Sequence, residues 1–427
     1  MQGGIAQSQM YWERAKGLIP CGTQCLSKGP SQFVDGVAPK YLVRGNGCMV
    51  EDADGNHLID YGMGLGAVSL GYNYEPVNEA IRAQLNDAIT LTLMHPLEVE
   101  VSELIREIIP CSESVRFGKN GSDVTTAAIR VARAYTGRDI ILICGYHGWH
   151  DWYVVTTERS LGIPTVLEGL SKKFIYNDIQ SLASLMEKYK GKVAAVMMEP
   201  MGVVYPENDF LAKVKEIAHQ NGALLIYDEV LTGFRTSLGG AQAHFGITPD
   251  LATFGKAIAN GMPLSVLTGR TELMSILENV FFSFTFGGEM LSLAAAKATI
   301  QQMRTYQTIA HVNEMGLLYM NQGNRRIADH ALNEKINIVG HPSKTVFQYV
   351  DGEEGLLIRS YLQQLMLQRG ILFTGYNYIS YAHKPEHIQY TLDALDESLS
   401  ELAVALKQGH IRDKLQGKPV APVFRKP

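Results

Sequence analysis

The sequence predicts an α/β protein: a mainly parallel central sheet with helices on both faces, joined to a smaller α+β C-terminal domain. Three observations carry this. Between about residues 75 and 310, brief apolar runs ("VRFG", "IILICG", "VAAVMMEP", "ALLIYDEV", "DLATFG", "PLSVLTG") alternate with amphipathic helical segments such as "SDVTTAAIRVARAYTG" and "LAKVKEIAHQNG". The runs are rich in β-branched or aliphatic residues and mostly end in Gly or a polar residue, as strands buried on both faces do. No internal repeat or Pro/Gly/Ser linker divides the chain, and 427 residues that are 46% hydrophobic can bury a large core.

In chain order, residues 1–60 read as a short helix around Gln9 to Gly17, irregular chain, and a small β element in which "KYLVRGNGCMVEDADGNHLIDY" places β-rich runs either side of Asp-Gly-Asn. Residues 61–310 read as the large sheet domain, with the two helical segments quoted above closed by Gly. Residues 311–427 form the smaller domain, where "EGLLIRSYLQQLMLQRG" and "PEHIQYTLDALDESLSELAVALKQG" flank one β-like stretch, "KTVFQYV".

Charge and composition narrow the partners. The net charge of −5 comes without like-charge runs, so neither nucleic acid nor anionic lipid finds a basic stripe. A small molecule is the expected ligand. The opening "MQGGIAQSQMYWERAKGLIP" lacks a signal peptide's apolar block, and no run approaches a membrane span, so the expected compartment is the cytoplasm. The five cysteines, with "CGTQC" lacking a redox or zinc spacing, read as reduced structural thiols.

In an open parallel sheet, ligands bind beyond the carboxyl ends of the strands. After "VRFGK", Asn120, Gly121 and Ser122 precede a helix whose first N–H groups favour an anion, although Ser or Asn there is also an ordinary cap. No Walker pattern is present. After "IILICG", the loop "YHGWHDW" offers Tyr146 and its neighbours for stacking on a flat ring; His147, His150 and Asp151 could instead ligate a metal. After "ALLIY", Asp228 is expensive to bury without a cation, which could be Arg235 or a protonated ring nitrogen. Lys256 then sits in "TFGKAIANGMP" with no charge beside it, where desolvation favours the neutral amine that attacks a carbonyl. A lone lysine of this kind is also a common snorkelling residue. An anion seat, an aromatic lid, a carboxylate for a ring nitrogen and a lysine for an aldehyde together match the groups of pyridoxal 5'-phosphate.

Through "LIPCGTQ", "DADGNHLIDYGMGLGAVSLGY", "FGKNGSDVTTAAIRVARAYTGR", "YHGWHDW", "LLIYDEVLTGFR", "DLATFGKAIANGMPLSVLTGR", "SFTFGGEMLSLAAAKAT" and "YAHKPEHI", nearly the whole chain resembles the class III aminotransferase family of fold type I pyridoxal phosphate enzymes, in the branch of glutamate-1-semialdehyde 2,1-aminomutase. The resemblance implies that Lys256 forms the Schiff base and shuttles protons, that Asp228 binds the pyridinium nitrogen, that Tyr146 stacks on the ring and that Gly121 and Ser122 hold the phosphate. It further implies that Thr285, in "SFTFGGEM", reaches the phosphate from the neighbouring subunit of a homodimer with shared active sites. Lys28 stands where the aminomutase uses an arginine on the substrate carboxylate, and an Arg-to-Lys change at such a site is not conservative. The expected activity is therefore transfer of an amino group from a donor amino acid to the carbonyl of a small polar, sugar-like or anionic acceptor. An intramolecular aminomutase, an inactive scaffold of the same fold, and a metal hydrolase built on His147, His150 and Asp151 stand as alternatives.

Overall fold

The computed structural model of the chain describes residues 4–421. The chain divides into two compact units: Met1–Leu65 with Ser69–Tyr74 and Ala310–Pro427, and Gly66–Val68 with Glu75–Ile309.

The first of these, the small unit, opens with helix α1 (Ala6–Leu18) and the antiparallel strands β1 (Leu42–Asn46), β2 (Met49–Asp52) and β3 (His57–Asp60). The turn between β2 and β3 is held by Asp52, whose Oδ1 accepts from Asp54 N and Asn56 N at 2.9 and 2.8 Å. That is the Asp-Gly-Asn turn expected from the sequence.

The large unit carries a seven-stranded sheet made of β4 (Ser114–Gly118), β5 (Ile140–Cys144), β6 (Ser171–Lys173), β7 (Val193–Met198), β8 (Leu224–Glu229), β9 (Leu251–Phe254) and β10 (Ser265–Gly269), in the spatial order β4-β10-β9-β8-β7-β5-β6. Four of the six pairings are parallel, and only β10 runs against the rest, antiparallel to both β9 and β4. Its reversal has a simple cause. Residues 255–264 form a short turn rather than the crossover of a dozen or more residues that a parallel return needs. Strands β7 and β8 are buried at every position, so both faces of the sheet are covered. On one face, Val124, Ala128 and Ala132 of helix α2 (Gly121–Thr136) share a core with Ile141, Met197, Ile226 and Leu267. With β10 alone reversed, the carboxyl ends of β4, β5, β7, β8 and β9 lie along one edge of the sheet.

The rest of the small unit holds β11 (Ile336–His341), β12 (Lys344–Tyr349), β13 (Ile371–Leu372) and β14 (Tyr376–Tyr378), with helices α3 (Gly352–Gln368) and α4 (Pro385–Gln408). Strands β11, β12 and β14 form an antiparallel sheet, while β13 adds in parallel to β3. The sequence pattern predicts only the β12 stretch; β13 and β14 are too short for periodicity to register, and β13 is a strand only because β3 lies beside it. Among the described residues no helix is long and apolar enough to cross a membrane.

Candidate active site

Residues singled out by the sequence lie at or just beyond the carboxyl ends of four strands, β4, β5, β8 and β9, along the shared edge of the large sheet. At the end of β4, Asp123 Oδ2 accepts from Lys119 N and Asn120 N at 3.1 and 2.7 Å, which turns the chain sharply into α2. Gly121 and Ser122 thus open a helix of 16 residues with first-turn N–H groups pointing outward. Ser122 Oγ accepts from Trp149 N at 3.1 Å, and a hydroxyl that accepts one bond still has its hydrogen to donate to an anion.

The β5 loop arches back over that helix start. Gly145 and Gly148 both adopt left-handed φ, 111° and 102°. A Cβ on Gly148 would lie 2.2 Å from Ser122 Oγ, so only glycine lets the loop pass so close. Tyr146 is 53% exposed, its backbone N–H donating to Glu199 Oε2 at 3.0 Å and its ring standing edge-on to Tyr153 at 5.5 Å. Its face is therefore presented at the sheet edge rather than spent on the core.

His147 turns inward. Its Nδ1 lies 2.8 Å from Asp228 Oδ2, and Thr125 Oγ1 donates to its backbone oxygen at 3.0 Å. His150 Nδ1 instead meets Thr126 Oγ1 at 2.7 Å. The two rings serve different partners, and no cluster of three or more His, Cys, Asp or Glu side chains able to hold a metal occurs among the described residues. Arg235, the protein cation weighed for Asp228, donates to Gly66 O at 2.7 Å, while the side chain facing the carboxylate is His147, which the sequence pattern does not pair with it. The sequence pattern leaves His147 as a stacking, metal-binding, or core and loop-bracing residue; nothing in "YHGWHDW" shows which way its ring points.

Asp228 is 4% exposed. Its other oxygen accepts from Val230 N at 3.1 Å and Thr253 Oγ1 at 3.4 Å, so the carboxylate is held from three sides. The adjacent Glu229 points elsewhere, accepting from Thr232 Oγ1, Ala241 N and Gln242 N, and burial pushes its carboxyl up. Pairing of β8 with β9 sets Asp228 opposite Thr253, three residues before Lys256. Lys256 itself is half-buried between buried neighbours and has a left-handed φ of 45°, a conformation that non-glycine residues adopt at a cost of order 1–3 kcal/mol. Val230 links the two ends of the arrangement: its Cγ1 lies 3.1 Å from where a Cβ on Gly121 would be and 3.3 Å from the same point on Gly255.

Lys256, Asp228, Gly121, Ser122 and Tyr146 therefore lie along one sheet edge. Thr285 belongs to the same unit but sits exposed in a turn between β10 and the helix beginning at Met290. Lys28 belongs to the small unit, at the end of a short turn beside Pro30, Phe33 and Lys40. The residues present fit pyridoxal phosphate: a helix start and a hydroxyl for the phosphate, a glycine-lined passage above it, a braced carboxylate for a ring nitrogen, and a lysine one strand away.

Residues 34–340 match the aminotransferase class-III family. The chain is 36% identical over 410 residues to the 3-aminobutyryl-CoA aminotransferase of Cloacimonas acidaminovorans, covering 93% of this chain and 98% of that protein. It is 33% identical over 431 residues to the glutamate-1-semialdehyde 2,1-aminomutase of Alkaliphilus oremlandii, covering 93% and 99%. Among solved structures, the pyridoxal phosphate internal aldimine form of FumI from Sphingopyxis sp. MTA144 matches with a TM-score of 0.88 at 27% identity, over 96% of this chain and 98% of that one.

Proposed function

This chain belongs to the class III aminotransferase family and is a pyridoxal phosphate enzyme, and we propose that it moves an amino group from a donor amino acid to the carbonyl of a small polar or anionic acceptor. The observation that carries the residue assignment is the braced carboxylate of Asp228, 2.8 Å from His147 and opposite the strand that delivers Lys256. When bound, the cofactor supplies an aldehyde that condenses with amines and a ring that delocalises the electrons left at a deprotonated carbon. Asp228 binds the ring nitrogen and keeps its proton in place. Lys256 would hold the cofactor before substrate arrives and afterwards take the α proton of the amine substrate at Nζ as general base, giving it back as general acid. Gly121 and Ser122 seat the phosphate, and Tyr146 covers the ring. Thr285 serves the phosphate of a neighbouring copy, which makes the working form a homodimer; Phe281 and Phe286, exposed at 80% and 58% beside it, support a protein-covered surface there. Five free cysteines support a reducing, cytoplasmic setting.

The acceptor is proposed as anionic or polar on two grounds. Lys28 replaces the arginine expected in the aminomutase, and the relative at 36% identity is named for an amine-bearing coenzyme A thioester, which supports an anionic member of the amine–carbonyl pair. A second reading, intramolecular amino transfer, draws on the likeness to the aminomutase.

The visible absorption spectrum of the purified enzyme tests both. Bleaching of its yellow band by one amino acid identifies the donor half-reaction. A band that no donor shifts, with one substrate isomerised in the absence of any donor, replaces the transaminase reading with the aminomutase. Lys256→Ala should abolish turnover while the phosphate seat still retains some cofactor, and wild-type turnover in that variant would remove the central assignment.

A further inference from the structure

Strand β4, helix α2 and the turn between them do more than present the anion seat; their cations fasten the segment that carries Thr285. Arg130 Nη1 donates to Phe281 O at 2.7 Å, and Arg116 Nη2 donates to Phe282 O at 3.0 Å. At the other end, Lys119 Nζ meets Glu289 Oε2 at 2.9 Å. Both side chains of that pair are largely shielded, at 14% and 12% exposure, so the pair is less weakened by solvent than an open surface bridge. Glu289 also accepts from Leu291 N at 2.7 Å and Ser292 Oγ at 2.6 Å, which fixes this end of the segment to the helix that follows. Between the clamps, Phe284, Thr285 and Phe286 are exposed. A loop presented outward would ordinarily be mobile; this one is held at both ends by charge-assisted bonds.

We propose that Lys119, supported by Arg116 and Arg130, is a positioning residue that braces the Thr285 loop as an arm for a second copy of this chain. The inference rests on the reading of Thr285 as a phosphate contact in the neighbouring subunit. Under it, the strand that opens one chain's own phosphate seat also orients the arm that chain lends to its neighbour. The opposing assignment is local: Lys119 lies two residues before Gly121 and could serve its own seat's anion instead.

Hybrid dimers separate the two. Differently tagged chains are paired so that one carries Lys256→Ala, leaving a single site able to give the yellow band, and the cofactor Kd at that site is titrated. Lys119→Met placed on the Lys256→Ala chain, whose arm serves the intact site, should raise that Kd about tenfold, as expected for losing a hydrogen bond between charged groups. Lys119→Met placed on the chain with the intact Lys256 should leave it close to the unsubstituted hybrid. Glu289→Gln, which keeps an oxygen to cap the following helix, should reproduce the same asymmetry and guards against misfolding of the first variant. The reverse asymmetry, equal weakening in both arrangements, or no change in either overturns the proposal. Thr285→Ala on the Lys256→Ala chain supplies the control: if it leaves Kd unchanged, the reading of Thr285 fails and the brace with it, whereas a weakened Kd beside an inert Lys119→Met removes the brace alone.

Discussion

Asp60 closes β3 in the small unit and Asp228 stands near the end of β8 in the large one, and both are nearly hidden from solvent, at 2% and 4% exposure. Their surroundings differ in kind. Asp60 accepts from Gly62 N at 2.6 Å, Met63 N at 3.0 Å and Tyr72 Oη at 2.6 Å, all neutral donors, and burial still pushes its carboxyl up. The histidine beside its backbone, His383, does not face the carboxylate; it stacks on Tyr61 at 4.6 Å, accepts from Ser380 N and Oγ, and is driven down to about 3 by burial. Asp228 instead has an imidazole Nδ1 2.8 Å from its oxygen. A histidine aimed at an acid joins the hydrogen bonds that orient the carboxylate; one aimed away leaves the acid to neutral donors alone. The first arrangement suits a carboxylate aimed at a ligand, and the second seals a fold.

The sharpest way to break this contrast is Asp228→Ala. The variant should keep its fold and its attachment of cofactor to Lys256 but lose proton abstraction by orders of magnitude, because a neutral pyridine is a poor electron sink. Unchanged single-turnover rates would mean that something else meets the ring nitrogen. Next comes His147→Phe, which retains a ring against Trp152 but removes Nδ1. Turnover should fall roughly ten- to a hundredfold, with the pH profile of kcat altered, the loss expected when a buried charge gives up a hydrogen bond. A drop in thermal stability with an unmoved profile would make His147 a packing residue like its counterpart. The prediction of least consequence for turnover concerns His383, whose effect is on stability. Its folded state stays neutral down to about pH 3, whereas the unfolded chain takes up a proton below the ordinary 6.5. Its contribution is thus complete above pH 6.5 and is lost as pH falls toward 3. Urea titrations across that range should show the slope in the wild type and a shallower one in His383→Asn; parallel curves would show that His383 does not govern it.

The contrast also marks what the sequence could show. Strands β5, β7 and β8 announce themselves as unbroken apolar runs because both of their faces are buried, and the residues following them could be picked out as candidates for that reason alone. The reversal of β10 depends on the brevity of residues 255–264, and β13 exists only through pairing with β3, across most of the chain. Within the site, residue types were legible and directions were not. His147 faces Asp228 because Gly145 and Gly148 take left-handed φ on either side of it, and the pairing of Glu289 with Lys119 joins segments 170 positions apart. Neither fact has a local signature.

The left-handed backbone at Lys256 bears on how this site could decay. A lysine is a poor occupant of that conformation, while glycine or asparagine would adopt it with less strain. Replacing Lys256 with either would therefore relieve backbone strain while discarding the amine, so at this one position sturdiness and the proposed chemistry pull in opposite directions.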